Sequence, residues 1–106
     1  MKTTHVTVHF ANGLHARPAA KLVLLCREFR ARVFLRLDNR VANAKSIMGI
    51  LLLAATFEAQ LEVQASGADE DSAIQATEVF FRARDEEALP PVSVEPSSDK
   101  KSVASA

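Results

Sequence analysis

At 106 residues the chain has the size of one domain, with thirteen basic side chains matched by thirteen acidic ones; two domains of roughly 100–150 residues each do not fit. The zero net charge hides a gradient: residues 1–57 hold nine basic and two acidic groups (+7), residues 58–84 two and six (−4), and residues 85–106 two and five (−3). One cysteine, Cys26, excludes an internal disulfide, and the longest near-apolar run, Ile47 to Ala55, has nine residues, less than half of a membrane span of about 20.

The N-terminus alternates polar and apolar residues and has no continuous apolar signal region, so a soluble, cytoplasmic protein is expected. Apolar residues make up 48% of the chain, with no Trp or Tyr and six Phe, which implies an aliphatic core.

His5-Val6-Thr7-Val8-His9-Phe10 has period 2 and reads as a strand with Val6, Val8 and Phe10 on one face. Asn12-Gly13 breaks it. Ala16-Arg17-Pro18-Ala19-Ala20 then opens a helix over about 16–27, with Pro in the first turn, where its missing N–H costs nothing. Ala19, Leu22, Val23 and Cys26 fall on its core face, and Leu24 and Leu25 widen the apolar stripe. Arg32 to Leu37 alternates again with Val33, Leu35 and Leu37 inward. Asp38-Asn39 suits a tight turn, and Arg40 to Ala44 returns as a short strand. Ser46 caps a short helix expected over Ile47 to Ala55. Gln60 to Ala65 is the clearest strand, Gly67 ends it, and Asp69-Glu70-Asp71 puts negative charge at the start of a helix over about 70–84. Ile74, Thr77, Phe80 and Phe81 supply that helix's buried face. After Asp85 nothing is periodic, and the last seventeen residues hold three prolines and five serines. The expected division is a domain over 1–86 and a disordered tail over 87–106. The order is βαββαβα, with helices covering one face of a single sheet.

The segment richest in chemistry is Asn12 to Ala20. It sets His15 at the mouth of a helix, where the first amides lack intrahelical acceptors and the dipole is positive. Such a mouth holds phosphate, and Arg17 adds a fixed charge shaped for phosphate oxygens. Positive charge nearby disfavours an imidazolium, leaving one ring nitrogen as a nucleophile. The expectation is transient phosphorylation of His15. A single His beside a helix start is more often structural; His-Ala-Arg-Pro together outweighs that reading because each residue has a phosphate-related task.

Asn12-Gly13-Leu14-His15-Ala16-Arg17-Pro18-Ala19 resembles the active-site signature of HPr, the histidine phosphocarrier of the bacterial phosphoenolpyruvate:sugar phosphotransferase system. Lys45-Ser46-Ile47-Met48-Gly49-Ile50 is similar to the regulatory-serine segment of HPr from bacteria with an HPr kinase. Ala65 to Glu70 matches the family's last strand and turn more weakly, and the resemblance covers about residues 3–84. It implies an α+β, open-faced β-sandwich: a four-stranded antiparallel sheet with three helices on one face. It further implies that His15 accepts a phosphoryl group on its pros nitrogen from enzyme I. The group then passes to A-type enzyme II components, stabilised by Arg17 and the Ala16 amide. The protein would be a carrier rather than an enzyme, monomeric and without cofactor or metal.

Ser46 has a reading of its own. A helix-capping Ser accepts phosphorylation with little cost, because about two negative charges meet the positive helix end. An arbitrary Ser there is only a cap; beside Ile47-Met48-Gly49 the resemblance favours an HPr kinase/phosphorylase site. Ile47, Met48 and Leu51 cannot all face inward if Ile50 and Leu53 do. The family places such an outward set, with Ala20 and Leu24 of the first helix, at the docking surface for enzyme I, enzyme II components and transcription regulators. The periodicity leaves the orientations of Leu51 and Leu52 open. Arg17, Lys21, Arg27 and Lys45 around it point to acidic partner surfaces.

Other candidates are weaker. His5 and His9 on a strand stand about 13 Å apart, too far to share an ion. Cys26 reads as a buried small hydrophobe, and the carboxylates at 69–71 lack calcium-loop spacing. Ala54 and Glu58 stand where many family members have glycine, at turns that often need a left-handed residue. An RNA-recognition sheet would suit the +7 half, but it needs outward aromatics and an RNP-like motif. Phe34 is the one plausible outward aromatic, so no nucleic acid is expected. A purely regulatory HPr-like protein and the nitrogen-related branch are further alternatives; His15 argues against the loss of phosphoryl transfer, and the Ser46 segment favours the kinase-regulated type.

Overall fold

The computed structural model describes residues 1–84. The expected tail, and with it the boundary at 86, lies outside the described residues. The elements run β1 (Lys2–Thr7), α1 (Ala16–Cys26), β2 (Arg32–Leu37), β3 (Arg40–Asn43), α2 (Ile47–Leu53), β4 (Gln60–Ser66) and α3 (Glu70–Arg82). All strand pairs are antiparallel in the spatial order β1-β4-β2-β3. The last strand in sequence therefore sits between the first and the second, and the sheet joins the two ends of the domain.

Alternation decides which face is covered. Leu61, Val63 and Ala65 of β4 and Val33 and Leu35 of β2 are buried, while Arg32, Arg36 and Gln60 face solvent. The helices fill the buried side with Ala19, Leu22, Val23, Cys26, Ile50, Leu53, Ala73, Ile74, Phe80 and Phe81. Truncating a fully buried member such as Leu22 to Ala costs about 2–5 kcal/mol, through lost transfer energy and the cavity left behind. Thr77 is also buried, its hydroxyl donating to the Ile74 carbonyl at 2.8 Å, which makes a polar side chain tolerable there.

The first strand begins and ends earlier than periodicity indicates. Its ladder starts in the polar Lys2-Thr3-Thr4 run, which pairs with Ala65, Gln64 and Val63. It stops at Thr7 because the partner strand bulges. Val8 N–H donates to Ala59 O at 2.9 Å, whereas Val8 O accepts from Glu58 N–H at 2.7 Å. Two residues thus oppose one, with Glu58 at φ 69°, a position that glycine usually fills. Val8 and Phe10 remain buried beyond the ladder, and the Phe10 ring meets Phe80 edge-on at 5.8 Å between centroids. α2 also ends short of Ala55, because Ala54 turns left-handed (φ 57°, ψ 43°) and closes it.

Candidate functional site

One turn and one long-range backbone bond fix the loop that carries His15. Gly13 has φ 71° and donates its N–H to Phe10 O at 2.8 Å. A Cβ there would overlap the Ala55 carbonyl oxygen and stand 2.9 Å from Thr56 Cα. Leu14 is buried, and its N–H donates to Ala55 O at 2.9 Å. The loop before α1 is therefore seated on the chain just after α2.

His15 is the N-cap of α1, with extended backbone (φ −79°, ψ −170°) and no side-chain capping bond. Its carbonyl accepts from Ala19 N–H at 3.0 Å, so the main chain opens the helix without recruiting the ring as a cap. Ala16 N–H belongs to the first turn, whose donors have no acceptor inside the helix. Arg17 is exposed and Pro18 is buried in the same turn. The structure thus brings His15, Ala16 and Arg17 together at one helix mouth, on eleven residues of helix whose positive end faces them.

Ser46 caps α2 as expected: its Oγ accepts from Gly49 N–H at 3.0 Å, and its carbonyl accepts from Ile50 N–H at 3.0 Å. It is not beside His15. The end of α2 meets the loop before α1, while the start of α2 is tied to the far end of α1. There Lys45 Nζ donates to Phe29 O at 2.7 Å, and the Arg27 guanidinium reaches Lys45 O at 3.4 Å. The two expected phosphorylation sites stand at opposite ends of the α1–α2 pair, about 16 Å of helix apart.

Lys45 and Arg27 of the expected basic rim thus also hold the α1–β2 connection to α2, through neutral carbonyls that leave their charge in place. The apolar set divides as well. Ile47 and Met48 are exposed (43% and 64%), while Leu51, Ala20 and Leu24 are half-buried, Leu51 packing against the core. Leu52, whose orientation periodicity leaves open, is 71% exposed, and Phe57 is 50% exposed. Phe57 gives no sequence signal because it sits in an aperiodic turn.

Several other titratable groups have structural roles. Asp69 accepts from Arg30 N–H at 2.9 Å and Ala31 N–H at 2.8 Å, clamping the α1–β2 loop to the start of α3; those amides, Arg30's foremost, hold its carboxyl below the usual range. Glu70 accepts from Gly67 N–H at 3.0 Å, which lowers its carboxyl in the same way. Burial pushes the Cys26 thiol up to about 12 against the nearby Lys45 charge, so it is a poor nucleophile. His5 pairs with Glu62 across the sheet at 3.7 Å, and His9 lies past the end of β1. Among the described residues no three His, Cys, Asp or Glu side chains gather as a metal site.

An open-faced antiparallel sheet with three helices on one side, and a histidine capping the first of them, defines a small α+β class. The model of the family "PTS HPr component phosphorylation site" matches residues 2–83. Phosphocarrier protein HPr of Xylella fastidiosa is 43% identical over 79 residues, covering 74% of this chain and 89% of that protein. The HPr-like protein Crh of Bacillus subtilis is 41% identical over 77 residues, 73% of this chain and 91% of its own. Among solved structures, HPr from Thermoanaerobacter tengcongensis superposes with a TM-score of 0.78 at 36% identity, over 84% of this chain and all of that one. The chain belongs to the HPr family of phosphocarrier proteins.

Proposed function

We propose that His15 is the phosphoryl-carrying residue, loaded by enzyme I and unloaded by A-type enzyme II components. The observation that carries this reading is the His15 N-cap: extended backbone at a helix mouth, with a ring that makes no capping bond. In the loading step the pros nitrogen of His15 forms a P–N bond as the donor's bond to phosphorus breaks. Unloading is the same displacement on the next acceptor. No electrons are exchanged and the protein returns unchanged. The Ala16 N–H and the Arg17 guanidinium would meet the phosphoryl oxygens, adding charge-assisted hydrogen bonds to the helix dipole.

Ser46 is the proposed target of an HPr kinase/phosphorylase. A phosphate there would meet the positive end of α2 and would recharge the neighbourhood of Ile47 and Met48 with the fold intact. Ile47, Met48, Leu51, Ala20 and Leu24 form the proposed docking face, with transcription regulators as further partners and the cytoplasm as the place of action. Similarity to the HPr-like protein Crh supports a second reading, regulation through Ser46 without sugar import.

The test is incubation with phosphoenolpyruvate and enzyme I, followed by acid, because phosphohistidine is acid-labile and phosphoserine is not. Acid-labile label that disappears in His15→Ala is expected. Label that survives that substitution, or none at all in the wild-type chain, refutes the carrier role. Acid-stable label at Ser46 alone, after kinase and ATP, selects the regulatory reading.

A further inference from the structure

Among the described residues the sheet has two edge strands, β1 and β3, and they are guarded unequally. β1 carries Lys2, Thr3, Thr4, His5 and Thr7, and polar or charged side chains discourage edge pairing. The four-residue β3 has Arg40 as its one charged residue, and Val41 is 58% exposed. Beside it, on α2, Leu52 and Met48 are also exposed. A groove of about 280 Å³ runs between β3 and α2, lined by Arg40, Val41, Gly49, Leu52 and Leu53.

The ladder phase fixes which main-chain groups reach that edge. Ala44 N–H donates to Val33 O at 2.8 Å, and the register pairs Leu35 with Ala42 and Leu37 with Arg40. Alternation of bonded and non-bonded pairs then points the N–H and C=O of Val41 and Asn43 away from β2. Asn43 O is taken by Ser46 N–H at 3.0 Å. Val41 N–H and Val41 C=O are left along the rim. Asn43 N–H faces α2, where a Cβ on Gly49 would stand 3.7 Å from it.

We propose that β3 is a docking edge for an extended segment of another protein in which acidic residues alternate with apolar ones, added as a fifth strand beside Val41. Main-chain bonds supply affinity in such additions, and alternate side chains supply specificity. The apolar positions share the face of Val41, directly opposite it. The acidic positions answer Arg40, which makes no ion pair among the described residues, and the +3 charge of residues 1–84 (+7 − 4). A second copy of this chain is the poorer occupant. Antiparallel pairing centred on Val41 sets two Arg40 side chains diagonally across one face, a like-charge contact.

The experiment uses the full chain, isotope-labelled, with acetylated Glu-Val-Glu-Val-Glu amide as probe and its Lys-for-Glu counterpart as control. At saturating acidic peptide, amide exchange at Val41 should slow by at least about tenfold, and the basic peptide should leave it unchanged. Arg40→Glu should weaken the acidic peptide by roughly tenfold. Val41→Pro should abolish binding, since it removes an outward N–H and no β2–β3 bond; if that variant fails to fold, Arg40→Glu decides. No slowing with millimolar acidic peptide overturns the proposal, as does slowing confined to Thr3, His5 and Thr7. Exchange already slow in the free protein, and released by dilution or by deletion of residues 85–106, also overturns it and assigns the edge to a second copy or to the chain's own end. None of these readouts depends on whether His15 carries phosphate.

Discussion

Asp69 does more for the fold than its place at a helix start indicates. Its two carboxylate oxygens each accept one backbone amide of the α1–β2 loop, thirty-eight or thirty-nine residues away. A carboxyl held below its usual value stabilises the native state fully above the unfolded-state value, near pH 4, and that contribution is lost as pH falls through the lowered native value. Glu70 acts in the same sense, through Gly67 N–H first and the terminal ammonium 3.2 Å away second. Stability should therefore decline below about pH 4. Asp69→Asn, which keeps the shape but loses the charge, should be less stable at pH 7 and show a shallower acid decline. Urea titrations at pH 7, 4 and 3 measure both; an acid decline identical to wild type would refute the assignment to Asp69.

At the scale of elements, the two turns around the end of α2 keep left-handed geometry without glycine. Ala54 has φ 57° and Glu58 φ 69°. The first closes a helix and the second makes the bulge opposite Val8, so neighbouring bonds over-determine both conformations. A Cβ in that region costs roughly 1–2 kcal/mol, partly offset by the greater unfolded entropy of glycine. Ala54→Gly and Glu58→Gly should each raise stability by about 0.5–1 kcal/mol, seen as a higher denaturation midpoint at unchanged slope. Gly13 is the converse. Its neighbours leave no room for a Cβ, and displacement of its loop would move His15.

At the scale of the molecule, the balance of charge is an internal arrangement. The acidic segment is largely spent on holding β1 and the α1–β2 loop. Asp71 meets Lys2 at 3.3 Å, Glu78 accepts from the Thr4 hydroxyl at 2.6 Å, and Glu70 meets the N-terminal ammonium. In the proposed function the basic half, with His15 and Ser46, is the side offered to a partner. Encounter with an acidic partner should accelerate at low salt: the rate of phosphoryl transfer from enzyme I to His15 should fall on the order of tenfold between 50 mM and 500 mM salt. Stopped-flow mixing across that range is the measurement, and a rate independent of salt would remove electrostatic steering.

The sequence by itself determined the order of elements, the buried faces of α1, β2 and α3, and the cap at Ser46, because each is a local matter of period, propensity or one i, i+3 bond. It also singled out His15 and Arg17, which lie within one helical turn of each other. Tertiary structure alone decided that β4 lies between β1 and β2, that β1 starts in a polar run, and that Leu52 faces solvent while Leu51 rests on the core. It alone placed Ser46 at the far end of the α1–α2 pair from His15 and turned Lys45 inward to the Phe29 carbonyl. These features depend on contacts between distant segments. Local periodicity says which face of an element is apolar; only the assembled sheet says what that face, or the edge beside it, will meet.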